Sequence, residues 1–466
     1  MMDIGYLPAT AQAAMFARRE MSPVEAMAAL LARIERLEPR VNAFAHLDGE
    51  RAMAAARTAE AAVMRGDALG PLHGLPVTVK DMFWTKDFPT EAGSRIQQGF
   101  RPPADTPFVS RLREAGAIVL GKTTCSEFGW SGVSRSPLTG ITHNPWRHGY
   151  NAGASSAGAG AACAAGFGPL HQGSDGAGSV RMPAHFCGVY GLKPSFGRVP
   201  YVPVPTGDMT SHVGPLTRTV ADAALMLRVM AGPHPLDYTT LQMEAEDYPG
   251  LLAGRPAGMR VAFSADLGHA RVDPEVASLV RLAAERLAFV LKVGFEDLTP
   301  AWGPDGPALG RFFWSAHQSR LARRLPEWEA RMDPGLAACA RAGMEVTMSD
   351  YMLMRERKVA YIADIHTFFE DWDFLVTPAV SVPAFPAERL QPADWPQHAW
   401  DWMGWAEFSY PFNMSWNPSA SVPCGFTSDG LPVGMQITGR RFDDLGVLRM
   451  SALFERALPW ADKAPL

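Results

Sequence analysis

A run of small residues between positions 149 and 200 constrains the fold of this chain more than any other stretch. From Gly149 to Ser174 there is no Asp, Glu, Lys or Arg, and Gly, Ala and Ser predominate. The segment Asp-Gly-Ala-Gly-Ser follows at 175–179. Small side chains let backbones approach each other, and successive N–H groups can then form an anion-binding nest. If the nest holds the oxygen of a carbonyl group under attack, the nest is an oxyanion hole, and Ser179 is the expected nucleophile.

Runs of this composition also occur in flexible linkers and in membrane-spanning helices. A linker would not carry large apolar residues at intervals, as this one does at Phe167, Leu170, Phe186, Val189, Tyr190 and Leu192. A spanning helix is disfavoured by the polar residues Asn151, Ser155, Ser156, His171 and Gln172. We therefore predict a buried core of small residues around a site, and no membrane span.

The overall composition is that of a globular protein and excludes several functional classes. The 466 residues are 47% hydrophobic and 20% charged, which excludes wholesale disorder. A net charge of −5 without a basic block predicts no nucleic-acid partner. The histidines include no His-Glu-x-x-His motif or paired spacing, so we predict no metal site.

The cysteines and the N-terminus bear on the compartment. The 5 cysteines are scattered and include no Cys-x-x-Cys pair, which indicates buried free thiols in a reducing cytosol. The first residues lack a basic region followed by an apolar one, so no signal peptide is expected. We predict a cytoplasmic protein.

Helix and strand patterns alternate along the chain, which predicts an α/β architecture. The clearest helix spans residues 22–37, with Ser22 as N-cap, Pro23 at the first position, Glu25 completing a capping box and Pro39 ending it. Further helices are predicted at 51–65, after 106, from within 214–222 to about 230, at 273–289 and at 446–458. Strands are predicted at 75–79, 117–120, 259–263, 373–378, 421–426 and 430–437. With no repeat and no clear linker, residues 1–466 are predicted to form one domain, with a variable, Trp-rich, substrate-side segment at about 300–410.

Lys80 follows the alternating residues Leu75, Val77 and Val79, which read as a half-buried strand. A lysine at the end of an apolar strand is usually a surface residue whose stem packs on the protein. The alternative is a buried amine with a lowered pKa that acts as a base.

Several long blocks of the sequence resemble the amidase signature family. Gly-Ala-Ser-Ser-Ala-Gly at 153–158 is similar to the family's Gly-Gly-Ser-Ser-Gly-Gly. Gly-Ser-Asp-Gly-Ala-Gly-Ser-Val-Arg-Met-Pro at 173–183 is similar to its Gly-Ser/Thr-Asp-x-Gly-Gly-Ser-Ile-Arg-x-Pro. Similar blocks lie at 73–81, 188–197, 214–222 and 430–436. The chain departs from the family at Ala154, Ala157 and Ala177, which replace glycines whose φ would be less restricted.

The resemblance implies a large mixed central β-sheet covered by helices on both faces, and amide hydrolysis without a cofactor. It implies a catalytic triad of Lys80, Ser155 after a cis peptide bond, and Ser179 as nucleophile. Ser155 would relay the proton between the other two. The oxyanion would be held by the backbone N–H groups of Gly176, Ala177, Gly178 and Ser179. Supporting roles fall to Ser156, Asp175 and Arg181, the last two expected as a structural ion pair.

Two other functions remain open at this point. Residues 154–158 nearly form a Gly-x-Ser-x-Gly elbow, which would make the protein an α/β-hydrolase esterase using Ser156. The chain would alternatively be an A-type glutaminase subunit of an amidotransferase complex, although residues 121–128 differ from the pattern typical of the A-type subunits of glutamyl-tRNA amidotransferases.

The expected substrate is a small amide, ester, anilide or carbamate, with water as the second substrate. The Trp-rich segment favours an apolar or aryl group on it, although such residues more often form plain core. The oligomeric state cannot be read from the sequence.

Overall fold

The structure is a computed structural model that describes residues 3–207, 209–242, 246–254 and 259–466. The strands in chain order are β1 Phe44–Leu47, β2 Pro76–Lys80, β3 Ile118–Thr123, β4 Arg135–Ser136, β5 Gly140–Ile141, β6 Leu170–Asp175, β7 Tyr190–Lys193, β8 His212–Thr217, β9 Val261–Phe263, β10 Phe295–Asp297, β11 Phe374–Pro378, β12 Ser419–Phe426 and β13 Pro432–Gly439. The α-helices are α1 Ala9–Ala17, α2 Pro23–Val41, α3 Gly49–Arg65, α4 Pro107–Glu114, α5 Ala157–Ala165, α6 Arg181–Cys187, α7 Val220–Met230, α8 Tyr248–Leu251, α9 Pro274–Leu291, α10 Gly306–Gln318, α11 Leu325–Trp328, α12 Pro334–Met344, α13 Met348–Asp371, α14 Tyr410–Met414 and α15 Asp444–Ala457.

An 11-stranded mixed sheet forms the centre of the molecule, in the order β1-β3-β2-β6-β8-β7-β12-β13-β11-β9-β10. Strand β2 is parallel to both β3 and β6. Strand β8 then pairs antiparallel with β6 and with β7. Because β2 and β6 run in the same direction, their carboxyl ends, at Lys80 and Asp175, lie at the same edge of the sheet.

Helices cover both faces of this sheet, as the sequence predicted. Successive side chains of a strand point to opposite faces. On β3, Val119 joins a core that includes residues of α4, α7, α9 and α15. Its neighbours Ile118 and Leu120 join a separate core with residues of α2 and α5. A third core packs the Trp-rich segment, mainly α10, α12 and α13, against Leu375 of β11.

The structure corrects three local predictions. Residues 212–217 form strand β8, and helix α7 begins only at Val220. Pro39 does not end α2, which continues to Val41; it lies two residues before the helix end, and its missing N–H costs the helix the one bond to the carbonyl of Glu35, an exposed residue. Strand β2 is buried on both faces, not half-buried, because it lies inside the sheet and under helices on each side.

All 5 cysteines are buried free thiols, as predicted. The reducing compartment itself stays a prediction. Within the described ranges, no helix combines the length and the apolar character that crossing a bilayer requires.

Gly214 of β8 is a position where the close spacing of the sheet can be tested. A Cβ atom there would lie 2.0 Å from the carbonyl oxygen of Leu192, so Gly214→Ala forces two strands apart. We expect the free energy of unfolding, measured by urea denaturation, to fall by about 1–3 kcal/mol or more. Gly294→Ala is the control, because nothing lies within 4 Å of the added atom. Equal midpoints for the two variants would contradict the tight packing described here.

Candidate active site

Lys80 lies at the carboxyl end of β2 and is fully buried, with 0% of its surface exposed. Its backbone N–H donates to the side-chain oxygen of Gln172 on the neighbouring strand β6, at 3.1 Å. Its Nζ donates to Ser155 Oγ at 2.7 Å and to Ser174 Oγ at 3.0 Å. The structure therefore places Lys80 inside the protein with two hydroxyl partners, not at the surface.

Burial lowers the pKa of Lys80 to about 8, because the charged ammonium loses its hydration. The Asp175 carboxylate opposes this shift only in part. Burial also raises the pKa of Cys125 to about 12, so that thiol stays neutral. A substantial fraction of Lys80 is accordingly a neutral amine near pH 8.

Ser155 and Ser156 form the entry to helix α5, and the peptide bond between Ala154 and Ser155 is cis. Ser155 faces Lys80, whereas the Ser156 hydroxyl is used by backbone groups at the end of β6. It accepts from Ser174 N at 3.2 Å and donates to Ser174 O at 3.1 Å. In addition, Ser156 N donates to the carbonyl oxygen of Ser179 at 3.3 Å. Ser156 thus joins the two serine-bearing segments.

The loop between β6 and α6 carries Ser179 and is held by Asp175. One Asp175 oxygen accepts from Gly178 N at 2.7 Å, and the other accepts from Val180 N at 3.1 Å. Arg181 donates to both oxygens, from Nη2 at 2.8 Å and from Nε at 3.0 Å. The pair is fully buried, at 0% side-chain exposure on each side. Burial alone would raise the pKa of Asp175, but Arg181 and hydrogen bonding hold it well below its usual range.

The sequence predicted that all four N–H groups of residues 176–179 form the oxyanion hole. The structure differs at Gly178, whose N–H already has an acceptor. The Gly178 N–H is used by Asp175, which is possible because Gly178 adopts a φ of +109°. For the N–H groups of Gly176, Ala177 and Ser179 there is no acceptor among the described residues. These three remain as candidate donors.

The departures from the family's glycines are accommodated by the backbone. Ala154, Ala157 and Ala177 do not appear among the non-glycine residues of positive φ, so none of them occupies the region that favours glycine. At Gly153, by contrast, φ is +75° and a Cβ would lie 2.6 Å from backbone atoms of Pro183.

Distant parts of the chain complete the support of this loop. Arg181 Nη1 donates to Gln436 Oε1 at 2.9 Å, and Nη2 donates to Asn413 Oδ1 at 2.6 Å. Asn413 Nδ2 also donates to Asp175 Oδ1 at 2.9 Å. Residues of α14 and β13 therefore bond to both members of the buried ion pair or to its arginine, in addition to the bonds made by the loop itself.

Ser155, Ser174, Gly176 and Ser179 lie on the wall of one cavity with a volume of about 490 Å³. Much of the remaining wall is aromatic or apolar: Met82, Trp84, Phe128, Phe196, Tyr201, Pro203, Val204, Met209 and Trp314. The Trp-rich segment contributes Trp314 of α10, whereas its other tryptophans include the buried core residues Trp302, Trp395, Trp402 and Trp405.

Sequence reasoning missed three groups of site residues. Ser174 lies inside the motif that carried the resemblance, so its contact with Lys80 had a visible signal. Gln436 lies in the similar block at 430–436, which gave a weaker signal. Asn413 and the cavity residues on loops follow no pattern that the sequence alone makes readable.

Comparisons with known proteins show the family to which the chain belongs. The amidase family model matches residues 25–297 and 312–448. An acylamidase from Rhodococcus erythropolis is 38% identical over 99% of this chain and 98% of its own length. The A-type subunit of the glutamyl-tRNA(Gln) amidotransferase from Chloroflexus aggregans is 34% identical over 100% of this chain and 99% of its own length. The crystal structure of a bacterial aryl acylamidase of the amidase signature family superposes with a TM-score of 0.90 at 27% identity, covering 98% of this chain and 97% of that one.

The fold and the comparisons define a hydrolase that acts on carbon–nitrogen bonds. The chain belongs to the amidase family, within the amidase signature enzymes.

The buried ion pair predicts a large effect of one substitution. Arg181→Met leaves the Asp175 carboxylate buried without its counter-charge, so we expect the free energy of unfolding to fall by about 3–5 kcal/mol. The control is Arg228→Met, which removes the partner of Asp247 in a pair about half exposed on each side, and should leave the urea midpoint nearly unchanged. Similar midpoints for both variants would show that the loop does not depend on Arg181.

Proposed function

We propose that this protein is a serine amidohydrolase that cleaves amide bonds through an acyl-enzyme formed on Ser179. The observation that carries the proposal is the 2.7 Å contact between Lys80 Nζ and Ser155 Oγ, in a buried environment that lowers the pKa of Lys80 to about 8. A base is most effective when its pKa lies near the working pH. Ser155 and Ser179 line the same cavity, which supports a proton relay through Ser155.

The proposed reaction begins with neutral Lys80. One of its N–H bonds donates to Ser174 Oγ, while its lone pair accepts the hydroxyl proton of Ser155. Ser155 in turn takes the proton of Ser179, and Ser179 Oγ attacks the carbonyl carbon. The proton then returns through Ser155 to the leaving nitrogen as the C–N bond breaks. In the second half of the reaction, the same relay takes a proton from water, and the water oxygen attacks the acyl-enzyme. The acid is released, and Ser179 regains its proton.

The developing oxyanion is stabilised by backbone donors at 176–179. The N–H groups of Gly176, Ala177 and Ser179 are the proposed set, since that of Gly178 bonds to Asp175. Such a donor typically contributes about 3 kcal/mol of transition-state stabilisation, because it is already oriented before charge develops. Asp175 and Arg181 act as positioning residues for this loop.

The proposed substrates are acylamides, including anilides, with an apolar or aryl group. The aromatic cavity wall supports this class, and so does the likeness to the Rhodococcus erythropolis acylamidase and to the aryl acylamidase structure. Esters and carbamates react through the same acyl-enzyme chemistry and are proposed as secondary substrates.

A second candidate function is that of a glutaminase subunit in an amidotransferase complex. It is favoured by the 34% identity to the Chloroflexus aggregans amidotransferase component over nearly both full lengths. The acylamidase is the more similar of the two relatives, at 38% identity, and an aromatic wall suits an apolar group better than a glutamine side chain. The α/β-hydrolase alternative receives no support, because the chain belongs to the amidase family and the Ser156 hydroxyl bonds to the Ser174 backbone.

A pair of alanine variants tests whether Ser179 or Ser156 is the nucleophile. We expect Ser179→Ala to lose turnover of an acylanilide by at least about 10³-fold, because the nucleophile is absent. Circular dichroism and the urea midpoint check that the fold persists. Ser156→Ala retains the nucleophile and should keep part of the activity. The opposite ranking would identify Ser156 as the nucleophile.

If Lys80 is the base, kcat/KM should rise with pH. Below the folded pKa the amine is protonated and cannot accept a proton, so activity should increase through about pH 8 and then level off. Lys80→Arg keeps the charge but does not deprotonate at working pH, and Lys80→Met keeps the length without a base. Both variants should lose amide hydrolysis severely and to a similar degree.

An activated ester serves as the comparison substrate in the same experiment. Its leaving group needs less protonation, so the ester should suffer no more than the amide in either variant. Burial also lowers the pKa of Lys122 to about 8, so the wild-type profile alone does not assign the base. Near-wild-type amide hydrolysis by Lys80→Arg would make Lys80 a structural cation and refute the triad.

A further inference from the structure

Arg320 is the one permanently charged residue among the described residues that line the 490 Å³ cavity. No Asp, Glu or Lys shares this described part of the wall. His317 also lines it, but burial and the nearby Arg320 charge lower its pKa to about 4, so it is neutral near pH 7. Among its described lining residues, the cavity that holds Ser179 therefore has one positive charge and no negative charge.

Arg320 is an exposed residue on the cavity wall, and its guanidinium makes one long hydrogen bond to the described protein, so its remaining N–H groups are open to solvent or to a ligand. It lies over the Phe128 ring, at 5.9 Å from the ring centre, and Nη2 donates to Gln318 Oε1 at 3.5 Å, a long hydrogen bond. Partial desolvation by the wall lowers the pKa of Arg320 from its ordinary value, although the group stays charged. Across the described ranges, no carboxylate forms an ion pair with it.

An arginine fork is well matched to a carboxylate, which can accept two parallel N–H bonds. Phe128 and Tyr201 beside it offer apolar surface for the chain or ring that carries such a group. The charge also repels a cationic substrate from the same cavity.

We propose that Arg320 binds a carboxylate carried by the substrate, remote from the scissile bond, so that the enzyme prefers anionic acylamides to neutral ones of the same shape. This inference rests on the proposed function, because it assigns a substrate feature to the same cavity. It makes Arg320 a specificity residue and leaves the bond-breaking chemistry to the serines and Lys80.

Two matched substrate pairs test the preference on either side of the amide. On the acyl side, the mono-4-nitroanilide of glutaric acid is compared with 5-methylhexanoyl 4-nitroanilide, in which an isopropyl group replaces the carboxylate. On the amine side, 4-hexanamidobenzoate is compared with the hexananilide of 4-isopropylaniline. In the wild type, kcat/KM should favour the anionic member of at least one pair by about tenfold or more, as expected for a charged hydrogen-bonded contact.

Arg320→Gln should remove most of that preference, and Arg320→Lys should retain part of it. The ratio within each pair is measured on one enzyme preparation, so it does not depend on the folded fraction. Arg323→Gln is the control, since Arg323 is an exposed arginine outside the cavity wall on the same short helix, and it should leave the ratio unchanged. A preference that survives Arg320→Gln, or no anionic preference in either pair, would overturn the proposal.

A binding measurement separates this proposal from the proposed function. In the Ser179→Ala background, calorimetry compares the binding of the glutaric acid mono-4-nitroanilide with and without Arg320→Gln. We expect at least about tenfold weaker binding without Arg320. If the wild type hydrolyses no acylanilide but this difference is found, the catalytic proposal fails and the carboxylate site stands. Equal binding by both proteins refutes the site whatever the turnover.

Discussion

The buried ion pair between Asp175 and Arg181 is the interaction on which the rest of the site depends. A charge without water is costly unless its hydrogen bonds are supplied, and here the loop, α14 and β13 supply them. The carboxylate fixes the path of the backbone by bonding Gly178 N and Val180 N. The N–H groups of Gly176, Ala177 and Ser179 have no acceptor among the described residues, which is why they are the proposed donors to the oxyanion.

The small residues between positions 149 and 200 also support the site, because they allow neighbouring elements to pack closely. A Cβ at Gly158 would lie 2.1 Å from Ala43 O, and one at Gly160 would lie 2.7 Å from Pro183 Cβ. Helix α5 can therefore sit tightly between β3 and α6, which brings Ser155 against Lys80 and Ser156 against the end of β6. The run without charged residues is thus a packing requirement as well as a signature.

Elements could be predicted from the sequence where the local residue pattern alone determines the structure. Helix α2 has Ser22 as its cap and Pro23 at its start, and both were readable. Strand β8 was missed because Gly214 and Pro215 look like turn residues, yet they lie between two antiparallel partners that make the extended form favourable. Ser179 as a nucleophile and Lys80 as a possible base could be read from the residues themselves, but their grouping with Ser155 in a triad depended on the resemblance to a family. Asn413 and Arg320 lie near the site through long-range folding, which periodicity does not encode.

Two lysines in this protein illustrate why burial alone does not make a base. Lys80 and Lys122 are both fully buried, and burial lowers the pKa of each to about 8. Lys122 Nζ donates to the Phe83 carbonyl at 2.7 Å and to Thr90 Oγ1, whose own proton is donated to that same carbonyl. A carbonyl can only accept, and Asp81 at 3.6 Å favours the charged form. The partners of Lys80 are hydroxyl groups that can donate as well as accept, and this difference supports the proposed role of Lys80 in moving a proton.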